Sequence, residues 1–275
     1  MSKRRTKQME EDDDDGDDSL VNVDFEFFDP NPEVDYLAIK RLSTQLFQGD
    51  AEALELQDLA DLILGQPLVG TTVKCDGKES DPYAFLTVLN MHVHQKRPSI
   101  KALIDYASSK TVADPDFHAT LQTLLSPAGL QSQNHVGFVY SERLINMPVQ
   151  VVPPMYRMLS DEIQWALDDN EPYRFSHLLF ISRIYRLSSE EAAELQARSP
   201  RKQQENATAG VFSFHPEDEY IQKFATHSID YSFSNVQPRD KDSFGLDTGG
   251  RMMLVPAANL PQLITTLNEV FAPPS

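Results

Sequence analysis

Catalysis and recognition both need polar side chains held close together, and residues 136–159, VGFVYSERLINMPVQVVPPMYRML, gather several. Ser141, Glu142, Arg143 and Asn146 bring a hydroxyl, a carboxylate, a guanidinium and an amide between an apolar run and a Pro-Pro pair. A serine nucleophile would need a base beside Ser141. The nearest histidine in sequence is His135, and the residues between them read as a strand that holds the two apart. The segment also lacks the G-x-S-x-G elbow that exposes a nucleophile. The plainer reading puts Glu142 and Arg143 at a strand end, paired with nearby charges or loop backbone groups, and Asn146 in a turn before Pro148.

Other candidates carry less. His92-Val93-His94 places two imidazoles on one face of an extended segment, which is half a metal site, so exposed loop histidines are expected. No G-x-x-x-x-G-K-[ST] and no G-x-G-x-x-G follows a strand, so no phosphate cradle is expected. Gly249-Gly250 precedes an apolar run and reads as a hairpin turn. Trp165 falls on a helix, as packing or rim. The acids show no calcium-loop spacing.

The elements that must position these residues follow from periodicity. Val21, Val23, Phe25 and Phe27 alternate with polar residues as a half-buried strand, stopped at Asp29-Pro30-Asn31-Pro32. Tyr36, Ile39, Leu42 and Leu46 then recur at helical spacing, as do Leu56, Leu59, Ala60 and Ile63 before Gly65. VGTTVKC and YAFLTVLNM read as two strands around a polar turn, with helices at Ile100–Ala107 and Phe117–Leu125. HVGFVY is a strand, Pro153-Pro154 opens a helix, and HLLFISRIY is a buried strand. Residues 188–210 are polar and aperiodic and read as a flexible insert. A short helix at Glu217–Ala225, a strand through Ile229, Tyr231 and Phe233, the strand RMMLVP and a last helix from Leu260 to Val270 complete the chain. Adjacent strand pairs argue against a regular parallel array, so one mixed α/β sheet flanked by helices is expected over residues 20–275, behind a disordered arm at 1–19.

Composition narrows the function. The 275 residues carry 42 acidic and 24 basic side chains, a formal charge of −18. Residues 1–18 hold eight of the acids and four of the basic residues, so the body alone stays near −14. Such a field repels phosphate backbones and concentrates basic proteins, so no direct nucleic-acid binding is expected. One cysteine, Cys75, allows no internal disulfide and suits a reducing compartment. No apolar run approaches the roughly 20 residues that cross a bilayer, and the N-terminus lacks the apolar centre of a signal peptide. Lys3-Arg4-Arg5-Thr6-Lys7 fits a nuclear-import signal, and the run Glu10, Glu11, Asp12, Asp13, Asp14, Asp15, Asp17 and Asp18 fits an interaction tail.

The SERLINMP and PPMY motifs within 136–159 resemble the signature of the BCCIP family, and VNVDFEFFDP with DYLAIKRLSTQLF resembles that family's first strand and helix. The closing RMMLVP fits as well, so the resemblance spans roughly residues 20–271. It implies a fold related to the GCN5-type N-acetyltransferases, with no enzymatic activity and no cofactor. Acetyltransferases of that fold cradle a coenzyme A pyrophosphate in an [RQ]-x-x-G-x-[GA] loop. Here Tyr140 to Pro154 contains no glycine, and Pro148, Pro153 and Pro154 lack amide donors. The resemblance further implies a nuclear chaperone for a basic large-subunit ribosomal protein of the universal L-fourteen type. It also implies links to the nuclear transport machinery and support for export of a phosphoinositide kinase. The acidic run, together with Ser141, Glu142, Arg143, Asn146 and Pro148, is the candidate partner-binding set. The second group is open to two readings, a binding edge or a structural corner. An active acyltransferase with an unusual cofactor loop is the alternative, and a general scaffold in cell-cycle control a third.

Overall fold

Prolines and side-chain caps set where the helices begin. In the computed structural model, which describes residues 24–188, 210–234 and 247–272, α1 (Pro32–Phe47) starts behind Asn31, whose side chain accepts from the Glu33 amide at 3.0 Å. Asp114 caps α4 (Pro115–Leu125) through the Phe117 amide at 3.0 Å. In both, proline occupies the first turn, where no amide partner is missed. α2 (Leu56–Leu64) ends at Gly65, and α3 (Pro98–Thr111) follows the strands Thr71–Lys74 and Ala84–Asn90. α5 (Val152–Asp168) begins at the expected prolines. It ends in a left-handed cap: Asn170 has φ 62°, its amide donates to Leu167 O, and the Glu171 amide donates to Ala166 O at 2.8 Å.

Among the described residues, eight strands make one sheet. β1 (Glu26–Phe28), β2 (Thr71–Lys74), β3 (Ala84–Asn90), β4 (Val136–Arg143), β5 (His177–Leu187), β8 (Asp247–Pro256) and β7 (His227–Ser232) lie side by side in that order. β6 (Gly210–Ser213) pairs with the far half of β5. Every pairing is antiparallel except β4 with β5, whose connection runs through α5. The mixed sheet expected from the sequence is therefore present.

Alternation along the strands feeds a core on each face. Phe85, Leu89, Phe138, Tyr140, Leu179 and Ile181 meet α1 to α4 on one face. Leu86, Val88, Val139, Phe180, Met253 and Val255 meet α5 and α7 (Leu260–Val270) on the other. α6 (Asp218–Phe224) packs on β8 and α7. No helix among the described residues is long and apolar enough to cross a membrane.

Several local expectations change. The first strand covers only Glu26–Phe28, while Val21 and Val23 lie outside the described residues, as do the acidic run Glu10 to Asp18 and all of the expected insert except Ser188 and Gly210. Gly249 and Gly250 are not a hairpin turn. They sit inside β8, opposite Ile184 and Arg183 on one side and Ser232 and Tyr231 on the other. A Cβ on Gly250 would overlap the Tyr231 ring, so the glycine marks a close approach within the sheet. His92 is no exposed loop residue either: it is buried, stacked on His135 at 4.7 Å, and takes the Val136 amide on Nδ1 at 3.2 Å. Burial and His135 hold its imidazole down at about 4.

Candidate functional site

β4 carries Ser141, Glu142 and Arg143 as its last residues, so the charged run belongs to the strand and not to a turn beyond it. β4 and β5 pair only from Val136↔His177 to Val139↔Phe180. Past that point β4 continues against β3 as far as Arg143↔Ala84, while β5 continues against β8 and takes β6 on its other edge. The two parallel strands thus part, and charged side chains fill the wedge between them.

Alternation sends Glu142 and Arg143 to opposite faces of β4. The Glu142 carboxylate accepts from Arg183 on β5 at 3.1 and 3.3 Å, from His215 Nε2 at 2.8 Å and from Gln45 of α1 at 2.8 Å. The Arg143 guanidinium donates twice to Glu217, at 2.8 and 3.0 Å, a bidentate pair. It also donates to His215 Nδ1 at 2.5 Å. These contacts assign the tautomer: Nε2–H donates to Glu142 while the Nδ1 lone pair accepts from Arg143. The Arg183 guanidinium lies 4.6 Å over the Phe214 ring. Glu142, Arg143, Arg183, His215 and Glu217 are all buried, Glu142 at 2% and Arg143 at 5% exposure.

Burial alone pushes the Glu142 carboxyl up. His215 and Arg183 more than offset this and hold it below the ordinary carboxylate range. Asp218, one residue beyond Glu217, goes the other way. Burial first, then Glu217, push it up to about 7, against the pull of Arg143. The folded chain therefore keeps a proton that the unfolded chain loses near 3.8, and stability falls as pH rises from about 4 to about 7. Asp218→Asn removes that titration. Its stability relative to the unmodified chain is expected to rise by on the order of 2 kcal/mol between pH 5 and pH 8. Urea unfolding at the two pH values measures the change, and an equal difference at both would show that Asp218 ionises as a solvated carboxylate does.

The expected partner-binding residues separate here. Glu142 and Arg143 spend their charges inside the fold, so the docking contact expected of them gives way to a structural role. Ser141 is half-buried. Asn146 lies in the expected turn and is exposed, as are Pro148 and its neighbour Ile145. Gln45, Arg183, His215 and Glu217 were not picked out in the sequence. One signal was present: Arg183 interrupts the apolar run of a buried strand, and a guanidinium placed there requires a buried acid.

The connection from β4 to α5 does not fit a coenzyme A pyrophosphate. It contains no glycine, and the first turn of α5 is closed by Met147, Val151, Val152 and Pro153, all buried. An anion at a helix N-terminus needs open amides, and Pro153 and Pro154 supply none in this turn.

Comparison with known proteins agrees with the motifs. "Protein bcp1" of Aspergillus fumigatus is 42% identical over 265 residues, covering 93% of this chain and 89% of that protein. "Protein bcp1" of Schizosaccharomyces pombe is 40% identical over 285 residues, covering 99% of this chain and 100% of its own length. The crystal structure of BCP1 from Saccharomyces cerevisiae superposes with a TM-score of 0.61 at 30% identity, over 94% of this chain and 93% of that one. A model of the BCCIP family matches residues 20–221, a span that contains β1 to β6 and the whole buried cluster, and on these grounds the chain belongs to the BCCIP family.

Proposed function

We propose that this protein is a non-enzymatic, acidic nuclear chaperone that shields a basic large-subunit ribosomal protein of the universal L-fourteen type. The observation that carries this reading is the negative charge left on the body after its internal pairs are counted. Residues 19–275 hold 34 acids against 20 basic residues. Arg143, Arg183, Arg251 and Lys74 are already matched inside the fold, by Glu217, Glu142, Asp230 and Asp35. The outer surface therefore presents carboxylates in excess. A free ribosomal protein is strongly basic on its RNA-facing surface, so this field speeds encounter, covers the surface and yields it when RNA competes. The mechanism is stoichiometric shielding with no bond made or broken.

Passage through the nuclear transport machinery and support for export of a phosphoinositide kinase belong to the same reading, through membership of the family. So does descent from a GCN5-type N-acetyltransferase fold whose cofactor loop has been replaced by a proline-rich turn. The test is a pulldown from the protein's own cell extract at low and high salt, with stoichiometry. One basic ribosomal protein near one-to-one, weakened by salt, is the expected result. Absence of such a client at low salt would refute the chaperone reading. A thermal shift on addition of micromolar acetyl-CoA would favour the acyltransferase alternative.

A further inference from the structure

α5 turns one face to solvent, and that face combines features found nowhere else among the described residues. Trp165, the chain's one tryptophan, is 62% exposed on it. Asp161 lies one turn before the indole and Asp168 one turn after, both exposed, so the three share a face. The left-handed cap at Asn170 then folds Asp169 and Glu171 back against the last helical turn. No ion pair among the described residues reaches these four carboxylates. Asp168 accepts a hydrogen bond from Gln164 at 2.8 Å, which leaves its charge unmatched.

Beyond Glu171 the surface dips into a cavity of about 380 Å3 whose wall includes Asp61, His94, Arg97, Glu171 and Tyr173. Arg97 is matched by Asp58 at 2.8 Å. Burial and Arg97 hold His94 below its ordinary value, so it adds little positive charge at neutral pH. The unmatched charges in the cavity wall are the carboxylates of Asp61 and Glu171.

An exposed indole with Asp161 and Asp168 one turn to either side suits a cation on a long apolar stem, although Arg157, exposed one turn before Asp161, adds one positive charge to the same stripe. A guanidinium or ammonium is attracted to the face of tryptophan more than to other aromatic rings, and carboxylates around it take the remaining donors. Tryptophan is also among the residues that dominate binding energy at interfaces. A second copy of the same chain would bring carboxylates against carboxylates, which disfavours self-association through this face. We propose that the α5 face centred on Trp165 docks an arginine- and lysine-rich segment of a protein partner, with one basic side chain laid on the indole and another entering the cavity beside Asp61 and Glu171. The proposal rests on the acidic-chaperone reading and gives it a docking face.

The test titrates the full-length chain with purified basic ribosomal protein of the universal L-fourteen type by calorimetry at about 0.15 M salt. Trp165→Ala is expected to weaken binding at least tenfold. The triple variant Asp161→Asn, Asp168→Asn, Asp169→Asn is expected to weaken it similarly and to flatten its salt dependence. Asp105→Asn with Asp116→Asn, on α3 and α4 across the sheet, is the control and should leave affinity unchanged. Client binding should also protect Trp165 emission from acrylamide quenching. Binding by the unmodified chain that neither α5 variant alters overturns this docking face and leaves the chaperone reading standing. No binding by the unmodified chain removes both. A client-free dimer dissociated by Trp165→Ala would assign the face to a second copy instead, and would equally overturn the proposal.

Discussion

Glu142→Ala is expected to lower the unfolding free energy by about 3–5 kcal/mol, the usual cost of removing one partner from a buried ion pair. That is a large share of the roughly 5–15 kcal/mol that holds a domain together. The reason lies in what would remain. The Arg183 guanidinium is 5% exposed and depends on Glu142 for hydrogen bonds at 3.1 and 3.3 Å. His215 Nε2–H and the Gln45 amide would lose the same acceptor. Glu142→Gln keeps an acceptor in place and is expected to cost less. A cycle of Glu142→Ala and Arg183→Ala, read by circular dichroism in urea, isolates the pair. A coupling of about 0.5–3 kcal/mol is expected, and strictly additive losses would show that the two charges do not depend on each other. The functional corollary is separate from stability. Because Glu142 lies inside the wedge, a folded Glu142→Gln protein is expected to bind the proposed basic client as the unmodified chain does.

The opening motif was legible as a motif, yet its physical meaning was not. Periodicity showed the strand, and proline chemistry showed the start of α5, because both depend on neighbours in sequence. The partners of Glu142 and Arg143 lie 41 to 97 residues away, on α1, β5 and the turn after β6. No local pattern reveals which distant charge a strand end will meet. β6 escaped for a related reason. Its four residues follow a polar stretch and begin with Gly210, so they carry too little alternation to read as a strand, and they are ordered by pairing with β5. Gly249-Gly250 looked like a turn because adjacent glycines usually serve one. Here the absent side chain is what lets the Tyr231 ring approach β8. The expectation for His92 failed because burial comes from stacking on His135, 43 positions along the chain.

Where charges lie also separates the two kinds of carboxylate in this protein. Those on β4 and in the turn after β6 are matched and sealed, and they serve the sheet. Asp161 and Asp168 on α5, with Asp169 and Glu171 at its end, are unmatched and face water, and under the docking proposal they meet a cation, whereas Glu162 of the same helix is buried against Thr71 and the Gly70 amide. Counting acids in the sequence cannot tell these groups apart, because the net charge is the same wherever the carboxylates lie.

The same distinction governs the second large effect, at the other end of the sheet. Asp35 and Lys74 form an ion pair at 2.6 Å with 0% and 1% side-chain exposure, joining the first turn of α1 to β2. Asp35 also accepts the Asn31 amide on its other oxygen at 2.7 Å, and Lys74 donates to Lys78 O at 2.7 Å. Asp35→Ala strips the Lys74 ammonium of its counter-charge and the Asn31 amide of its acceptor, and about 3–5 kcal/mol of destabilisation is expected. Lys74→Met should cost less. Asp35 then retains the Asn31 amide and sits in the first turn of α1, where the helix dipole favours a negative charge. Asp35→Leu combined with Lys74→Met leaves no buried charge behind and is expected to be more stable than Asp35→Ala alone. Urea midpoints with an unchanged slope would report these differences as stability. If Lys74→Met proved the more damaging single change, the ammonium and not the carboxylate would be the group on which β2 and α1 depend.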